Sequence, residues 1–230
     1  MGAGFEKGLK KRYRAVIFDF DGTIVDSFLG ITLSMQTALK AVKGIEISEL
    51  EQLKRFVGPP LYDTFRTAFF MSEEDAAKAV GYFRKRFSEV GYAECEVYEG
   101  VEKMLVSLRR KGIKTAIASS KADDMLKKVA AAKGVDIHFD VIAGISDVVK
   151  HETKAAVIGK VLEMLSVAPE EAVMVGDRMY DAEGAKAAGV DFIGALWAGY
   201  GSREEFLAYP NVLLADSIGE VSFMLEAAEH

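Results

Sequence analysis

Three features of the sequence predict an α/β class, a doubly wound parallel sheet with a helical insert after its first strand. Short runs of consecutive apolar residues end abruptly in Asp, Ser or Gly-Asp. Helical periodicities alternate with such runs over the second half of the chain, and about 70 residues near the start carry helical spacing alone.

The first run, Arg14-Ala15-Val16-Ile17-Phe18, stops at Asp19. A continuous apolar run of this length fits a strand covered on both faces, as parallel sheets are. Lys114-Thr115-Ala116-Ile117-Ala118, stopping at Ser119, and Ala172-Val173-Met174-Val175, stopping at Gly176-Asp177, repeat the pattern, and 140–144 and 190–194 supply two further strands. Helical segments fall at roughly 100–111, 122–133, 153–165 and 179–188. Strand and helix in alternation build right-handed crossovers, hence a doubly wound sheet.

Between Ser27 and Glu96 the spacing changes. Ile31, Leu33, Met35, Leu39 and Val42 recur at helical intervals, followed by Leu50, Leu53 and Phe56, then Leu61, Phe65 and Phe69, then Ala76 to Phe87. Breaks at Lys43-Gly44, Gly58-Pro59-Pro60 and Met71-Ser72 divide the segment into about four helices. The chain therefore reads as a core formed by 1–26 and 97–230, with a helical cap at 27–96. The Phe and Met positions of the cap read as bundle core rather than as a cofactor box.

Composition narrows the function. Half of the 230 residues are apolar and 28% are charged, enough to bury a sizeable core. Twenty-nine bases against 35 acids give a net charge of −6 with no long basic block, which argues against nucleic acid as a partner. One cysteine, Cys95, forms no disulfide framework, and three scattered histidines give no zinc spacing, so a reducing cytoplasm is expected and His138 and His151 read as surface or loop residues. The charge-free apolar stretch 192–202 is far short of the roughly 20 residues of a membrane helix. The N-terminus lacks the apolar stretch of a secretory signal and reads as a short leader or the edge of the first strand. Gly199-Tyr200-Gly201-Ser202 lacks the Gly-x-Gly-x-x-Gly frame of a dinucleotide site and reads as a turn.

In open α/β sheets ligands collect outside the carboxyl ends of the strands. Here those ends carry Asp19-Phe20-Asp21-Gly22-Thr23, Ser119-Ser120-Lys121 and Gly176-Asp177-Arg178-Met179-Tyr180-Asp181. Four carboxylates converging on one crevice would raise one another's pKa or force the site apart unless a cation joins them. Mg²⁺, a hard ion that takes oxygen ligands, meets that need, and a lysine could meet part of it. Lys121, Lys150 and Lys154 are the lysines to consider. Asp26-Ser27, just before an apolar helical run, reads as a helix N-cap. Arg178 and Tyr180 read equally as substrate contacts or as a solvated helix face.

Four motifs in this order resemble those of the haloacid dehalogenase-like phosphatases, and specifically the phosphoglycolate phosphatase-like subgroup with an α-helical cap on a Rossmann-like core. Asp19 to Thr23 is similar to the first motif, Ser119 to the second, Lys154 to the third and Gly176 to Asp181 to the fourth, so the resemblance spans nearly the whole chain. It implies that Asp19 is the nucleophile, forming an aspartyl phosphate that water hydrolyses, and that Asp21 is acid to the leaving oxygen and then base to the water. It also implies a Mg²⁺ site at Asp19, the backbone carbonyl of Asp21, Asp177 and Asp181. Gly22, Thr23, Ser119 and Ser120 would hold the phosphate, and Arg55 and Gly58, in a cap turn, would select the substrate. Lys154 is preferred to Lys150 because it opens Lys154-Ala155-Ala156-Val157-Ile158, although the commoner Lys-Pro form of the motif is absent. The expected activity is Mg²⁺-dependent hydrolysis of a small phosphorylated metabolite, phosphoglycolate first. A phosphomutase, a pyrophosphatase or nucleotidase of the same fold, and a non-catalytic phosphate-binding or Mg²⁺-binding regulator are the alternatives. The oligomeric state is left open.

Overall fold

A computed structural model describes residues 13–146, 152–209 and 212–227. The expected leader, Lys150 and His151 lie outside the described residues. The chain runs β1 (Ala15–Phe18), β2 (Val25–Asp26), α1 (Phe28–Lys43), a 3₁₀ segment (Leu50–Phe56), α2 (Leu61–Thr67), α3 (Glu73–Arg86) and β3 (Glu96–Val97). It continues through α4 (Val101–Arg110), β4 (Lys114–Ala122), α5 (Asp123–Ala132), β5 (Val141–Ile145), α6 (Lys154–Leu165) and β6 (Ala172–Gly176). It ends with α7 (Met179–Ala188), β7 (Asp191–Ala195), α8 (Arg203–Phe206), β8 (Leu213–Ala215) and α9 (Ile218–Ala227).

Six parallel strands form one sheet in the order β5-β4-β1-β6-β7-β8. The chain builds from β1 toward β5 and then returns to build toward β8, so strand order reverses at β1. Side chains of β1 alternate between two cores. Val16 and Phe18 join Ile117, Val173 and Val175 and the inner residues of α4, α5 and α9. Ala15 and Ile17 join Ala116, Met174 and the apolar face of α6, from Val157 to Leu165. Every β1 side chain is fully buried, which accounts for the unbroken apolar run.

The cap leaves and re-enters the core through a short antiparallel ribbon, β2 with β3. Its core holds Met35, Leu39, Leu53, Phe65, Met71 and Phe87, all nearly or fully buried. The expected breaks mark real ends. Gly44 closes α1 in the left-handed region (φ 66°), its N–H reaching Leu39 and Lys40 carbonyls. Ser72 caps α3, its side chain accepting a hydrogen bond from the Asp75 N–H.

Four details differ from expectation. The second cap segment is a 3₁₀ helix of seven residues rather than an α-helix. Strand β4 runs through Ser119 to Ala122 instead of stopping before Ser119, because its register with β5 shifts between Ala118 and Ala122 and the strand resumes after the irregularity. The cap at the start of α1 is carried by Asp26, which accepts from the Phe28 N–H at 2.9 Å, while the Ser27 hydroxyl makes no such bond. Beyond β7 the chain adds α8, β8 and α9, elements too short or too weakly patterned to stand out in the sequence.

Candidate active site

Sheet register assembles the site. Phe18 lies beside Ile117 on one side and Val175 on the other, so the residues that follow, Asp19, Ala118-Ser119 and Gly176-Asp177, emerge together at the carboxyl edge where strand order reverses. The Asp19 N–H donates to the Val175 carbonyl at 2.8 Å, extending the ladder by one bond and fixing where the carboxylate begins. One helical turn after Asp177, Asp181 comes round in α7. One carboxylate oxygen each from Asp19, Asp177 and Asp181 lie within 4.8 Å of one another, and all three residues are buried.

Lys154, at the start of α6, places its Nζ 2.5 Å from Asp19 Oδ1 and 2.7 Å from Asp181 Oδ1. Burial opposes its charge, but Asp181 and Asp19 outweigh that and hold its pKa above the usual lysine value. Burial raises the Asp19 carboxyl to about 6, with Asp181 pushing the same way and Lys154 opposing. Asp177 stands well above the usual carboxylate range, again chiefly through burial, then through Asp181 and Asp19.

The two fourth-motif aspartates are satisfied differently. Asp181 accepts from Lys154 through Oδ1 and from the Arg178 N–H through Oδ2 at 3.0 Å. Both oxygens of Asp177 are buried without a hydrogen-bond partner among the described residues. A buried carboxylate with two orphaned oxygens is strongly unfavourable unless a cation completes it. An all-oxygen donor set beside it suits a hard divalent ion such as Mg²⁺, so Asp19 and Asp177 could hold the ion and Asp181, fixed by its own bonds, could orient it.

Asp21 is close by but turned elsewhere: Lys121 Nζ contacts its two oxygens at 3.0 and 2.8 Å. Its carboxylate lines the cavity in front of Asp19 and is outside the three-carboxylate cluster. The loop after β1 is tight. Gly22 has φ +83°, and a Cβ there would stand 2.3 Å from Asp177 Oδ2, so only glycine fits. The amides of Gly22 and Thr23 donate to the Val25 and Phe20 carbonyls, while the Thr23 hydroxyl is buried without a partner among the described residues. Ser119 is buried, and it lines the cavity with Ser120.

Gly58 lines the same cavity, but Arg55 does not. Arg55 borders a separate hollow with Lys54, Gly199 and Tyr200, and its guanidinium lies 4.7 Å from the Phe56 ring centroid. Arg178 is not a freely solvated charge: Nη1 donates to the Val57 carbonyl at 2.6 Å and the Arg55 carbonyl at 3.3 Å, and Nε donates to Glu205. Tyr180 is partly exposed, and His138 lies 3.8 Å from Glu102, away from the carboxylates. The Gly199–Ser202 segment is a turn, from which the Tyr200 hydroxyl donates to Asp26 at 2.7 Å. Sequence reasoning gave Lys121 no role with Asp21 and did not foresee the tie from Arg178 to the cap; the one signal for Lys121 was its place two residues beyond Ser119.

Residues 16–195 match the family model described as haloacid dehalogenase-like hydrolase. The chain belongs to that family. Among its relatives, a 5'-nucleotidase of Pseudomonas aeruginosa is 35% identical over 86% of this chain and 89% of its own. The tyrosine-protein kinase PtkA of Mycobacterium tuberculosis is 34% identical over 92% of this chain and 71% of its own. A crystal structure of a predicted phosphatase from Clostridium acetobutylicum superimposes with a TM-score of 0.88 at 35% identity, covering 94% of this chain and 99% of that one. Pyrophosphatase PpaX and phosphoglycolate phosphatase are names carried by further relatives. This hydrolase is accordingly an enzyme of a phosphatase family with a capped, Rossmann-like core.

Proposed function

We propose that the chain hydrolyses small phosphate monoesters with Mg²⁺ through a phosphorylated Asp19. The observation that carries this reading is the buried set of Asp19, Asp177 and Asp181 with both Asp177 oxygens unpartnered. When bound, Mg²⁺ would supply positive charge between the carboxylates and an incoming phosphate dianion.

The protein's own groups do the rest. Lys154 fixes Asp19 and neutralises part of the cluster's charge. A carboxylate oxygen of Asp19 attacks phosphorus, the phosphorus–oxygen bond to the alcohol breaks, and Asp21 gives a proton to the departing oxygen. Water then attacks the aspartyl phosphate, Asp21 takes its proton, and the Asp19 carboxylate and inorganic phosphate are released. Thr23, whose buried hydroxyl has no partner among the described residues, and Ser119 would hydrogen-bond phosphoryl oxygens. Lys121, bonded to Asp21, must release it or follow the arriving phosphate for Asp21 to act. Phosphoglycolate, pyrophosphate and nucleoside monophosphates are the substrates that the relatives' names suggest, and all three fit this phosphoryl chemistry. The single, buried Cys95 suits a reducing cytoplasm.

The test is release of p-nitrophenol from p-nitrophenyl phosphate. Turnover is expected with Mg²⁺ and is abolished by EDTA or by Asp19→Asn, while Asp21→Asn costs roughly 10²–10⁴-fold. Full turnover by Asp19→Asn would remove the nucleophile from the scheme.

A further inference from the structure

The cavity in front of Asp19 is larger and more apolar than phosphoryl transfer needs. With the cap loop tied to the core by Arg178, the space running from Asp19, Asp21 and Ser119 into the cap measures 460 Å³. That is the size of sites that enclose whole drug-sized ligands, and a two-carbon acid leaves most of it unfilled. Away from the carboxylates its walls are Phe56, Leu61, Val80 and Phe83 from the cap and Met125 and Ile145 from the core. All six are half-buried, held by packing yet reachable from the cavity. The Phe83 ring lies nearly parallel to that of Phe87, at 7° with centroids 5.7 Å apart, giving the wall a flat aromatic face.

This apolar part of the lining offers nothing to a second carboxylate. None of the six side chains carries a hydrogen-bond donor, and Lys121, bonded to both oxygens of Asp21, lies at the reacting end of the cavity rather than among them. Lys85, exposed on α3, adds a charge at the border that suits a polar group on the far side of an apolar body. Aromatic and aliphatic walls of this kind gain most from a flat ring, which buries large area at little conformational cost.

We propose that the substrate is a phosphate monoester whose alcohol carries an aromatic or heteroaromatic ring, seated against Phe56, Val80 and Phe83 while the phosphoryl group meets Asp19. The proposal rests on the phosphatase reading above and narrows it. Benzyl phosphate and 2-naphthylmethyl phosphate, whose alkoxide leaving groups resemble that of phosphoglycolate, separate recognition from leaving-group chemistry. In the wild-type protein with Mg²⁺, kcat/KM for these esters is expected to exceed that for phosphoglycolate by roughly 10–100-fold, the worth of burying one ring. Val80→Trp, which fills the cavity, is expected to lower the ratio of aromatic ester to phosphoglycolate at least about 10-fold, chiefly through KM. A wild-type preference for phosphoglycolate, or a ratio unmoved by Val80→Trp in a protein that still turns over either ester, overturns the ring-bearing substrate while leaving the phosphatase standing. Hydrolysis of none of the esters sinks both.

Discussion

At the scale of single residues, the site is under electrostatic tension. Asp19, Asp177 and Asp181 lie together, and the Lys154 ammonium contacts Asp19 and Asp181 but not Asp177. Burial and mutual repulsion therefore raise Asp19 to about 6 and Asp177 well above its usual range. The consequence for stability has a definite sign. A carboxyl whose folded pKa is raised binds protons more tightly in the folded chain than in the unfolded one, so its contribution is full below about pH 4 and is lost as pH rises through about 6. Mg²⁺ competes with those protons. At pH 7.5, free Mg²⁺ a hundredfold above its Kd is expected to add about 2.7 kcal/mol, roughly 5–10 °C in Tm for a chain of this size. At pH 5 the same concentration should add clearly less. Thermal melts with and without Mg²⁺ at the two pH values decide the matter. An equal gain at both, or a larger one at pH 5, would mean that these carboxyls are not the groups that receive the ion.

At the scale of elements, α3 shows how the cap helices are specified. Ser72 accepts from the Asp75 N–H, Glu73, Glu74 and Asp75 occupy the first turn, and Arg84, Lys85 and Arg86 the last, so cap and charges both favour the helix dipole. Ser72→Ala is expected to cost about 1 kcal/mol and to lower the urea midpoint while leaving turnover of p-nitrophenyl phosphate at 25 °C unchanged. An unmoved midpoint would mean that α3 unfolds separately from the unit that the measurement follows. The ends of α1 and α3 could be read in advance because Gly44 and Ser72 solve local backbone problems, and local problems leave local signatures. The five strands read in advance, β1, β4, β5, β6 and β7, were legible for a related reason: a strand largely buried on both faces has few polar positions to interrupt it. Strand β8, with two of its three residues half-buried, and the four-residue α8 carry no such mark. The continuation of β4 past Ser119 was hidden because it depends on register with β5, which no single segment encodes.

At the scale of the whole molecule, the unresolved question in the sequence was how the cap is held over the core, and the answer lies in side chains meeting across more than a hundred residues. Asp19, Asp177 and Asp181 could be expected together because strand ends are where a parallel sheet gathers ligands, whereas Asp21, expected with them, faces Lys121 instead. Arg178 was not legible in this way, since the cap groups it meets are backbone carbonyls, which no residue type announces. It sits between Asp177 and α7, and its Nη1 reaches the carbonyls of Val57 and Arg55 while Nε is paired with Glu205. Gly58, at φ +101°, lets the cap loop pass so near that a Cβ there would lie 3.0 Å from Arg178 Cγ. The same arginine also lowers the Asp177 carboxyl against the stronger effects that raise it. One side chain thus joins the carboxylate cluster to the loop that borders the cavity. Arg178→Ala should free that loop: amide hydrogen exchange in 55–61 is expected to quicken at least about 10-fold while β1 and β6 keep their protection. KM for a phosphate monoester should rise, since a cap that no longer rests on the core leaves the cavity open to water. Arg178→Lys should restore little of this, because an ammonium lacks the planar fork that spans two carbonyls and a carboxylate at once. Exchange in 55–61 that is unchanged in Arg178→Ala would show that apolar packing of the cap, through residues such as Leu53 and Val57, holds it in place without the arginine.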